Sequence, residues 1–599
     1  MLKILKQKNS VSFVMLLLFI TKILGFLKLR TIAQLFGVSH ELDIFWAAFT
    51  IPDMLFMLLV AGSINAAIIP TLSEIFRKEG KDSLDKFFNH LMVIVSSLLI
   101  FIALILFIFT PQLATLLTES EVLQDFLKFG QRVGSGDFDL FVSLTRIMML
   151  SPVLLGISGL VTGYLQVRKQ FFVTSLAPLF YNLAMILGSV VLVVGFNMGV
   201  EGVAISAVLG SLVHLLVQIP KFKEYFDSPI EFGISPLIEG LKHNKTMQAV
   251  RLALPRTIAV LGEQINTIVN TLISFSLAAG ALSAYKFAVS LHLFPINIIG
   301  SAIAQVALPS LEESCEDEDK YCKVLNSSIQ KALFLVLPIV SILIILRLPI
   351  VRLAYGVGAF DWRATILTAW CLLLLSFSVI GQSIDQILLR AFYALKETWL
   401  PLIAVTVGII VNIGFAIFLT NFLSHYYDWR PILEQMFMQI KDSNGAGLGP
   451  VLGSFIKDSV RWATTRGTSD LAVGGLSLSL SISYLVEMVV LSLLLNLKVK
   501  VITWKKTIIP SLMKLMNAFL MSLGMYFVFK LFDFQLDTTR TISIVILTVV
   551  TTAYGFLSYF VGCKVFGIQE VNLLDEIIED IKKNLFKRKK RKVDVQEGI

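Results

Sequence analysis

Apolar residues run along this chain in long blocks separated by short polar stretches, the pattern of bilayer spans and not of a water-facing surface. Hydropathy predicts roughly fourteen helical spans of about 22 residues. They fall at 10–36, 44–70, 89–112, 142–166, 172–195, 200–220, 248–278, 283–309, 329–352, 364–393, 399–422, 470–496, 507–532 and 541–566. The first block follows Lys3, Lys6 and Lys8, lacks a small-residue cleavage site and continues through Lys22, Lys28 and Arg30. It therefore predicts a retained first helix and not a removed signal peptide. The expected fold class is an all-α polytopic membrane protein.

Composition narrows the classes further. The 599 residues are 56% hydrophobic and 16% charged, below the quarter or so of charged residues in soluble domains. Secreted, cytosolic and fibrous proteins are excluded, and so is soluble nucleic-acid binding despite a net charge of +9. With fourteen spans, the basic loops gather on one side: Arg77/Lys78/Lys81/Lys86, Arg168/Lys169, Lys221/Lys223/Lys242/Lys245, Arg390/Lys396, Lys498/Lys500/Lys505/Lys506 and both termini. The positive-inside rule makes that side cytoplasmic. The acidic stretch Glu312 to Asp319 falls on the same side, but acids weigh little in the rule. The basic tail Lys582 to Lys592 is expected to clamp anionic headgroups. An exterior insert at 423–469 carries Tyr426, Tyr427 and Trp429 as an interfacial belt, one amphipathic helix at 431–440 and a glycine-rich turn at Gly445–Gly449. The cysteines add no chemistry. Cys371 and Cys563 lie in apolar runs, and Cys315 and Cys322 in an acidic loop without further soft ligands.

The chain echoes itself. Ile51–Glu74 and Phe294–Glu313 share a proline, a glycine and an apolar run closing in Pro-Ser/Thr-Leu, and Tyr181–Leu187 resembles Val411–Ile417. Two echoes at nearly one offset predict two six-helix lobes related by an axis along the membrane normal, with two helices left over. The expected layout is an N-lobe at 1–220, a cytoplasmic linker at 221–247 and a C-lobe at 248–496 containing the insert. A two-helix unit at 507–566 and a basic cytoplasmic tail at 567–599 complete it.

Ionisable residues inside spans each need a reason, because insertion costs about 2.5–3.5 kcal/mol apiece. Span 1 carries Lys22, Lys28 and Arg30 around Gly25. The two lysines sit some 120° apart in azimuth at about 100° per residue, so they can line a broad wall. Snorkelling to an interface suits Arg30 and is the plain alternative for Lys28, whereas Lys22 lies too deep for it. Span 2 carries Asp43 and, directly after Pro52, Asp53. Asp43 precedes Pro52 by nine residues, as Lys286 precedes Pro295; this predicts an inter-lobe charge pair made in one conformation and lost in another, with Arg30 nearby. Two unrelated charges at headgroup level are the plain alternative. Gly25, Pro52, Gly62 and Pro295 are the candidate helix breaks. Asp53, Glu263 and Asp385 are candidate ion-coupling carboxylates, with Gln264, His292 and Glu487 as further intramembrane polar groups. His214 reads as a hydrogen-bonded packing residue. No metal constellation, nucleophile–base set, phosphate-binding loop or redox motif appears, so neither enzyme activity nor a bound cofactor is expected.

Thr21–Asp53 and Gly62–Glu74 resemble the signature region of the MurJ/MviN lipid II flippases. Gly163–Ile186, Ile265–Leu311, Tyr355–Asp361 and Arg390–Pro401 extend the resemblance over about residues 10–422. It implies a two-lobed fold of the multidrug/oligosaccharidyl-lipid/polysaccharide exporter superfamily and alternating access. It also implies movement of undecaprenyl-diphosphate-linked disaccharide-pentapeptide to the outer leaflet of a bacterial plasma membrane, with a tail groove on the last two spans. Lys22 and Lys28 fall where the family has arginines, and Asp43 on its aspartate. Leu29 stands where an acid is usual, Phe56 and Ala61 replace an arginine and a glutamate, and Ser290 and Leu293 replace another such pair. Lys286, one turn before Ser290, offers a third cation for the diphosphate beside Lys22 and Lys28. Lysine lacks arginine's bidentate fork, so the grip is differently arranged.

Three other readings fit the same residues: a flippase for another polyprenyl-diphosphate glycan, a cation-coupled exporter, or a transport-dead scaffold recruiting wall-synthesis proteins. The expected partners are the polyprenyl-diphosphate lipid, anionic membrane lipids and possible wall-synthesis proteins, with no nucleic acid. A monomer driven by a coupling cation or the membrane potential is expected.

Overall fold

A helix rising 1.5 Å per residue crosses about 30 Å of hydrocarbon in about 20 residues, and the chain is built from helices of that scale. The computed structural model describes residues 11–58, 68–119, 135–226, 233–242, 260–262, 264–397, 399–441, 448–501 and 503–572. The helices are α1 (Val11–Phe36), α2 (His40–Phe56), α3 (Ile69–Glu79), α4 (Lys81–Glu119), α5 (Ser135–Met148), α6 (Leu150–Val167), α7 (Phe171–Ser189) and α8 (Gly199–Leu216). There follow α9 (Ile219–Tyr225), α10 (Ile234–Lys242), α11 at 264–275, α12 (Ala281–Pro295), α13 (Ser301–Ser314), α14 (Glu318–Ile345), α15 (Arg347–Tyr355) and α16 (Trp362–Leu375). The last are α17 (Ser378–Ala394), α18 (Trp399–Ser424), α19 (Tyr426–Lys441), α20 (Leu448–Thr464), α21 (Val473–Lys498), α22 (Ile509–Gln535) and α23 (Thr541–Val565). No strand occurs among the described residues.

Ten helical stretches are long and apolar enough to cross a bilayer among the described residues, and an eleventh arises if α16 and α17, bent by 43° at their junction, form one span. Each matches an expected span. The remaining three of the fourteen are not established as apolar spans. The segment at 10–36 is the 26-residue α1, whose apolar run is interrupted by Lys22, Lys28 and Arg30, and those at 44–70 and 248–278 run partly outside the described residues.

The helices pack into two compact units. One comprises Met1–Phe287, Ala354–Thr368 and Ile413–Leu476; the other comprises Ala288–Leu353, Ala369–Asn412 and Ser477–Ile599. In the first, Phe88, Tyr164, Phe222 and Phe226 form an aromatic knot where α4, α6 and α9 meet. The Tyr164 hydroxyl donates to Asp85 Oδ1 at 2.6 Å, which satisfies both buried polar groups. In the second, α22 buries Lys514, Asn517, Ala518, Met521 and Met525, while α23 buries Ile544, Leu547, Thr551, Gly555, Tyr559 and Cys563. Spacings of three and four put each set on a single face, and the two helices pack against each other. Their other faces expose Phe527, Phe534, Leu557 and Val565, the arrangement suited to hydrocarbon and not to water.

Three local expectations change. Proline removes a donor and crowds the carbonyl four residues back, so breaks were expected at Pro52 and Pro295. Instead α2 runs through Pro52 to Phe56, and α12 continues past Pro295 through a π-helical turn, Ile296–Gly300, into α13. The π-helical turn follows Pro295 directly and keeps the chain helical from α12 into α13. Gly25 lies inside an unbroken α1, and Gly62 lies outside the described residues. The insert holds two helices, α19 and α20, packed on each other, where one was expected. Its belt is divided: Tyr427 is exposed, but Trp429 stacks on Phe422 at 5.5 Å and donates to the Phe422 carbonyl. Cys371 and Cys563 are buried and Cys315 exposed, all as free thiols.

Candidate functional site

Thr21, Gly25 and Lys28 recur at i, i+4 and i+7, so they share one face of α1. That face meets α7. Asn182 Nδ2 donates to the Thr21 carbonyl at 3.4 Å, and a Cβ on Gly25 would stand 3.8 Å from the same nitrogen. One turn on, the Lys28 ammonium lies 5.3 Å from the centre of the Tyr181 ring, within cation–π range. The sequence marks Tyr181 and Asn182 only as part of an internal echo. Their role was legible in retrospect as an aromatic–amide pair in an otherwise apolar span.

Two further charges join Lys28. Asp53, half-buried on α2, lies within electrostatic reach of both Lys28 and Lys286. Lys286, half-buried on the second turn of α12, acts on Asp53 in return. No direct ion pair joins the three among the described residues. Two ammonium groups against one carboxylate leave a surplus positive charge in an apolar setting. Such a constellation favours an anion with several oxygens, which can engage both lysines at once. Lys22 is exposed and makes no contact with this cluster among the described residues. Arg30 is half-buried two residues beyond Lys28.

Asp43 does not meet Lys286. It is 2% exposed, and its carboxylate accepts from Gly280 N at 2.6 Å, Ser283 N at 2.7 Å and Ser283 Oγ at 2.7 Å. The first turn of a helix carries unpaired N–H groups and the positive end of the dipole, so α12 binds Asp43 there and leaves Lys286, a turn further on, to Asp53. Gly280 has φ +88°, and a Cβ there would meet the Val38 carbonyl oxygen at 2.6 Å; glycine alone suits both the conformation and the contact. Beside this clasp, His40 Nε2 lies 3.0 Å from Asp137 Oδ2.

The other candidates separate. Glu263 lies outside the described residues. Asp385 is buried on α17, within electrostatic reach of Glu487. His292 is held by the Val289 carbonyl at 2.8 Å and approached by Gln382 Nε2 at 3.1 Å. His214 meets Ser158 Oγ at 2.7 Å, as a packing residue would. Among the described residues no group of three or more His, Cys, Asp or Glu side chains is arranged to hold a metal.

Comparison with known proteins gives this arrangement a family. Residues 32–427 match the family model for the lipid II flippase MurJ. The chain is 27% identical over 435 residues to the lipid II flippase MurJ of Burkholderia cenocepacia, covering 72% of this chain and 80% of that one. It is 26% identical over 411 residues to the probable lipid II flippase MurJ of Vibrio cholerae, covering 67% and 75%. In fold, it resembles a lipid II flippase MurJ in an inward closed conformation, with a TM-score of 0.66 and 21% identity over 94% of this chain and 99% of the other. It also resembles an inward-facing multidrug resistance MATE transporter, with a TM-score of 0.56 and 13% identity over 80% and 94% of the two chains. With a family match across about two-thirds of its length and the same helical fold, this multi-pass membrane chain belongs to the lipid II flippase MurJ family.

Proposed function

We propose that this chain carries lipid II, the undecaprenyl-diphosphate-linked disaccharide-pentapeptide, from the inner to the outer leaflet of a bacterial inner membrane by alternating access. The observation that carries the reading is the cluster of Lys28, Lys286 and Asp53, a surplus cation among apolar helices of a chain in this family. Lys28 and Lys286 take the diphosphate, Asp53 spaces them when no substrate is bound, and the Tyr181 ring steadies Lys28. Lys22 serves at the entrance and not in the grip, which its exposure supports. The clasp of Asp43 on α12 is a gating contact that opens and closes during the cycle. The two six-helix lobes rock about the substrate while α22 and α23 keep the isoprenoid tail in a groove. Both termini face the cytoplasm, the basic tail rests on anionic lipid and the chain works as a monomer. No cofactor enters the cycle. The inside-negative potential assists, because moving negative charge outward gains about 2.3 kcal/mol per charge per 100 mV.

The test is mass spectrometry of lipids that co-purify with the gently extracted protein, beside a Lys28→Ala/Lys286→Ala variant. Disaccharide-peptide on undecaprenyl diphosphate, lost in the variant, is the expected result. A different glycan on the same carrier would replace the substrate while keeping the cationic grip. Absence of any polyprenyl lipid from the parent protein would overturn the reading.

A further inference from the structure

The insert between α18 and α21 takes no part in the lipid reading, yet its neck is firmly built. The last turn of α18 holds the end of α20 at several points. Asn421 Nδ2 donates to the Ala463 carbonyl at 3.0 Å, and His425 Nε2 lies 3.1 Å from Thr465 Oγ1. The Ser424 hydroxyl accepts from Gly467 N at 2.6 Å, and the Ser424 carbonyl accepts from Ser469 N at 3.0 Å. Trp462, 8% exposed, packs edge-on to Phe422 and Phe455. Just past the neck, Arg363 pairs with Asp470 at 2.7 Å and fastens the end of the insert to the start of α16. Arg466 therefore projects from a fixed backbone.

Its guanidinium reaches Ser276. Nη2 donates to Ser276 Oγ at 3.1 Å and Nη1 to the Ser276 carbonyl at 3.4 Å, two donors of one planar fork on one residue. The Ser276 hydroxyl gives its own proton to the Ile273 carbonyl at 2.7 Å, which leaves its oxygen free to accept. Ser276 opens the turn between α11 and α12, and Gly280 at the far end of that turn donates to Asp43. Five residues of chain thus separate the arginine of the insert from the carboxylate of the clasp. Ordering such a turn costs backbone entropy. A contact from a rigid neck meets part of that cost before Asp43 binds, so the amides of Gly280 and Ser283 are presented in one place.

We propose that Arg466 is a positioning residue for the Asp43 clasp: it holds the α11–α12 turn where the Gly280 and Ser283 amides meet the carboxylate, so the insert sets how readily the clasp opens. The inference rests on the reading of that clasp as a gating contact in lipid II transport. All of these residues belong to the first compact unit, and the effect passes through one side chain and one short turn. Anything that pulls Arg466 away from Ser276 favours the open clasp over the closed one seen here.

The test is amide hydrogen exchange of the full-length protein in detergent, read by mass spectrometry over peptides spanning 276–284. Arg466→Ala should speed exchange at Gly280 and Ser283 about tenfold, the weight of a hydrogen bond from a charged group. Peptides from α22 and α23 should keep the parent's rate, which separates a loosened turn from a loosened fold. Arg466→Lys keeps the charge and a donor, and should recover part of the protection. Ser276→Ala removes one acceptor from the other side and should speed the same amides, which serves if the arginine variant does not fold. Lys457→Ala, exposed on α20, should change nothing. Asp43→Ala should also speed these amides, and adding Arg466→Ala should give less than the product of the two effects, because the arginine acts through the clasp. Parent-like exchange in Arg466→Ala, or in Ser276→Ala where the arginine variant does not fold, would overturn the proposal. So would a full product in the double variant, or an increase shared equally by α22 and α23. Lipid II transport in proteoliposomes is measured beside it. Exchange as expected in a parent that moves no lipid II removes the transport reading and leaves the positioning role of Arg466 in place.

Discussion

Removing the Asp43 carboxylate should show how much one helix terminus contributes to the first unit. Asp43 accepts three hydrogen bonds, two from backbone amides and one from the Ser283 hydroxyl, all within 2.7 Å and out of solvent. Asp43→Ala leaves the amides of Gly280 and Ser283 without acceptors, each costing about 1–3 kcal/mol. The relief of burying one charge fewer offsets part of that, so a net loss of about 3 kcal/mol is expected. Asp43→Asn keeps one acceptor oxygen but turns an NH2 towards a donor, and should cost about 2 kcal/mol. Ser283→Ala removes the hydroxyl bond alone and should cost about 1.5 kcal/mol. Denaturant unfolding of the detergent-solubilised protein, followed by size-exclusion of the remaining folded fraction, measures all three. The double variant closes a cycle whose coupling energy should reach about 1 kcal/mol, the size typical of directly contacting groups. An Asp43→Ala protein within about 0.5 kcal/mol of the parent, the range of inert surface changes, would refute the reasoning. So would strict additivity with Ser283→Ala.

Reversing the charge at Lys28 with Lys28→Glu should abolish lipid II transport in proteoliposomes while leaving folded protein in the membrane, and a fully active variant would remove Lys28 from the grip. Lys514 is 1% exposed, bonded to Gln330 Oε1 at 2.5 Å and paired with Glu570 at 3.0 Å; Lys514→Ala strands both partners and should destabilise the protein by about 3 kcal/mol in the same unfolding assay. Gly381→Ala forces a Cβ against the Tyr484 backbone and should cost about 1–3 kcal/mol as overpacking. Gly414→Ala, with nothing within 4 Å of its Cβ position, should gain about 0.5–1 kcal/mol from helix propensity. Opposite signs for those two glycines, read as shifts of the thermal midpoint, are the expected consequence of the close approach of α17 to α21.

Most of the secondary structure was legible because hydropathy and helical period are properties of contiguous residues. Spans such as 172–195 and 541–566 needed nothing from the rest of the chain, and the stripes of α22 and α23 follow from spacings of three and four. Departures arose where local rules compete with packing. Pro52 and Pro295 read as breaks because proline removes a bond, but α2 runs through Pro52, and a π-helical turn carries the chain on from Pro295 into α13. The second helix of the insert was missed because α20 is interrupted by glycines and charges, and the packing of α19 on α20 fixes it.

By itself the sequence determined the membrane class, the helical architecture and the family, since each rests on composition or on motifs within one segment. The partners of the charges were decided only by the tertiary structure. Equal spacing before Pro52 and Pro295 pointed to an Asp43–Lys286 pair, yet Asp43 is bound by the first turn of α12 and Lys286 faces Asp53. Lys22 and Lys28 are six residues apart in α1, but only Lys28 reaches the Tyr181 ring. Asp385 comes within electrostatic reach of Glu487, 102 residues away in the chain. A charge interacts through distance and direction in space, and for residues on different helices both depend on azimuth and approach, which no single segment encodes.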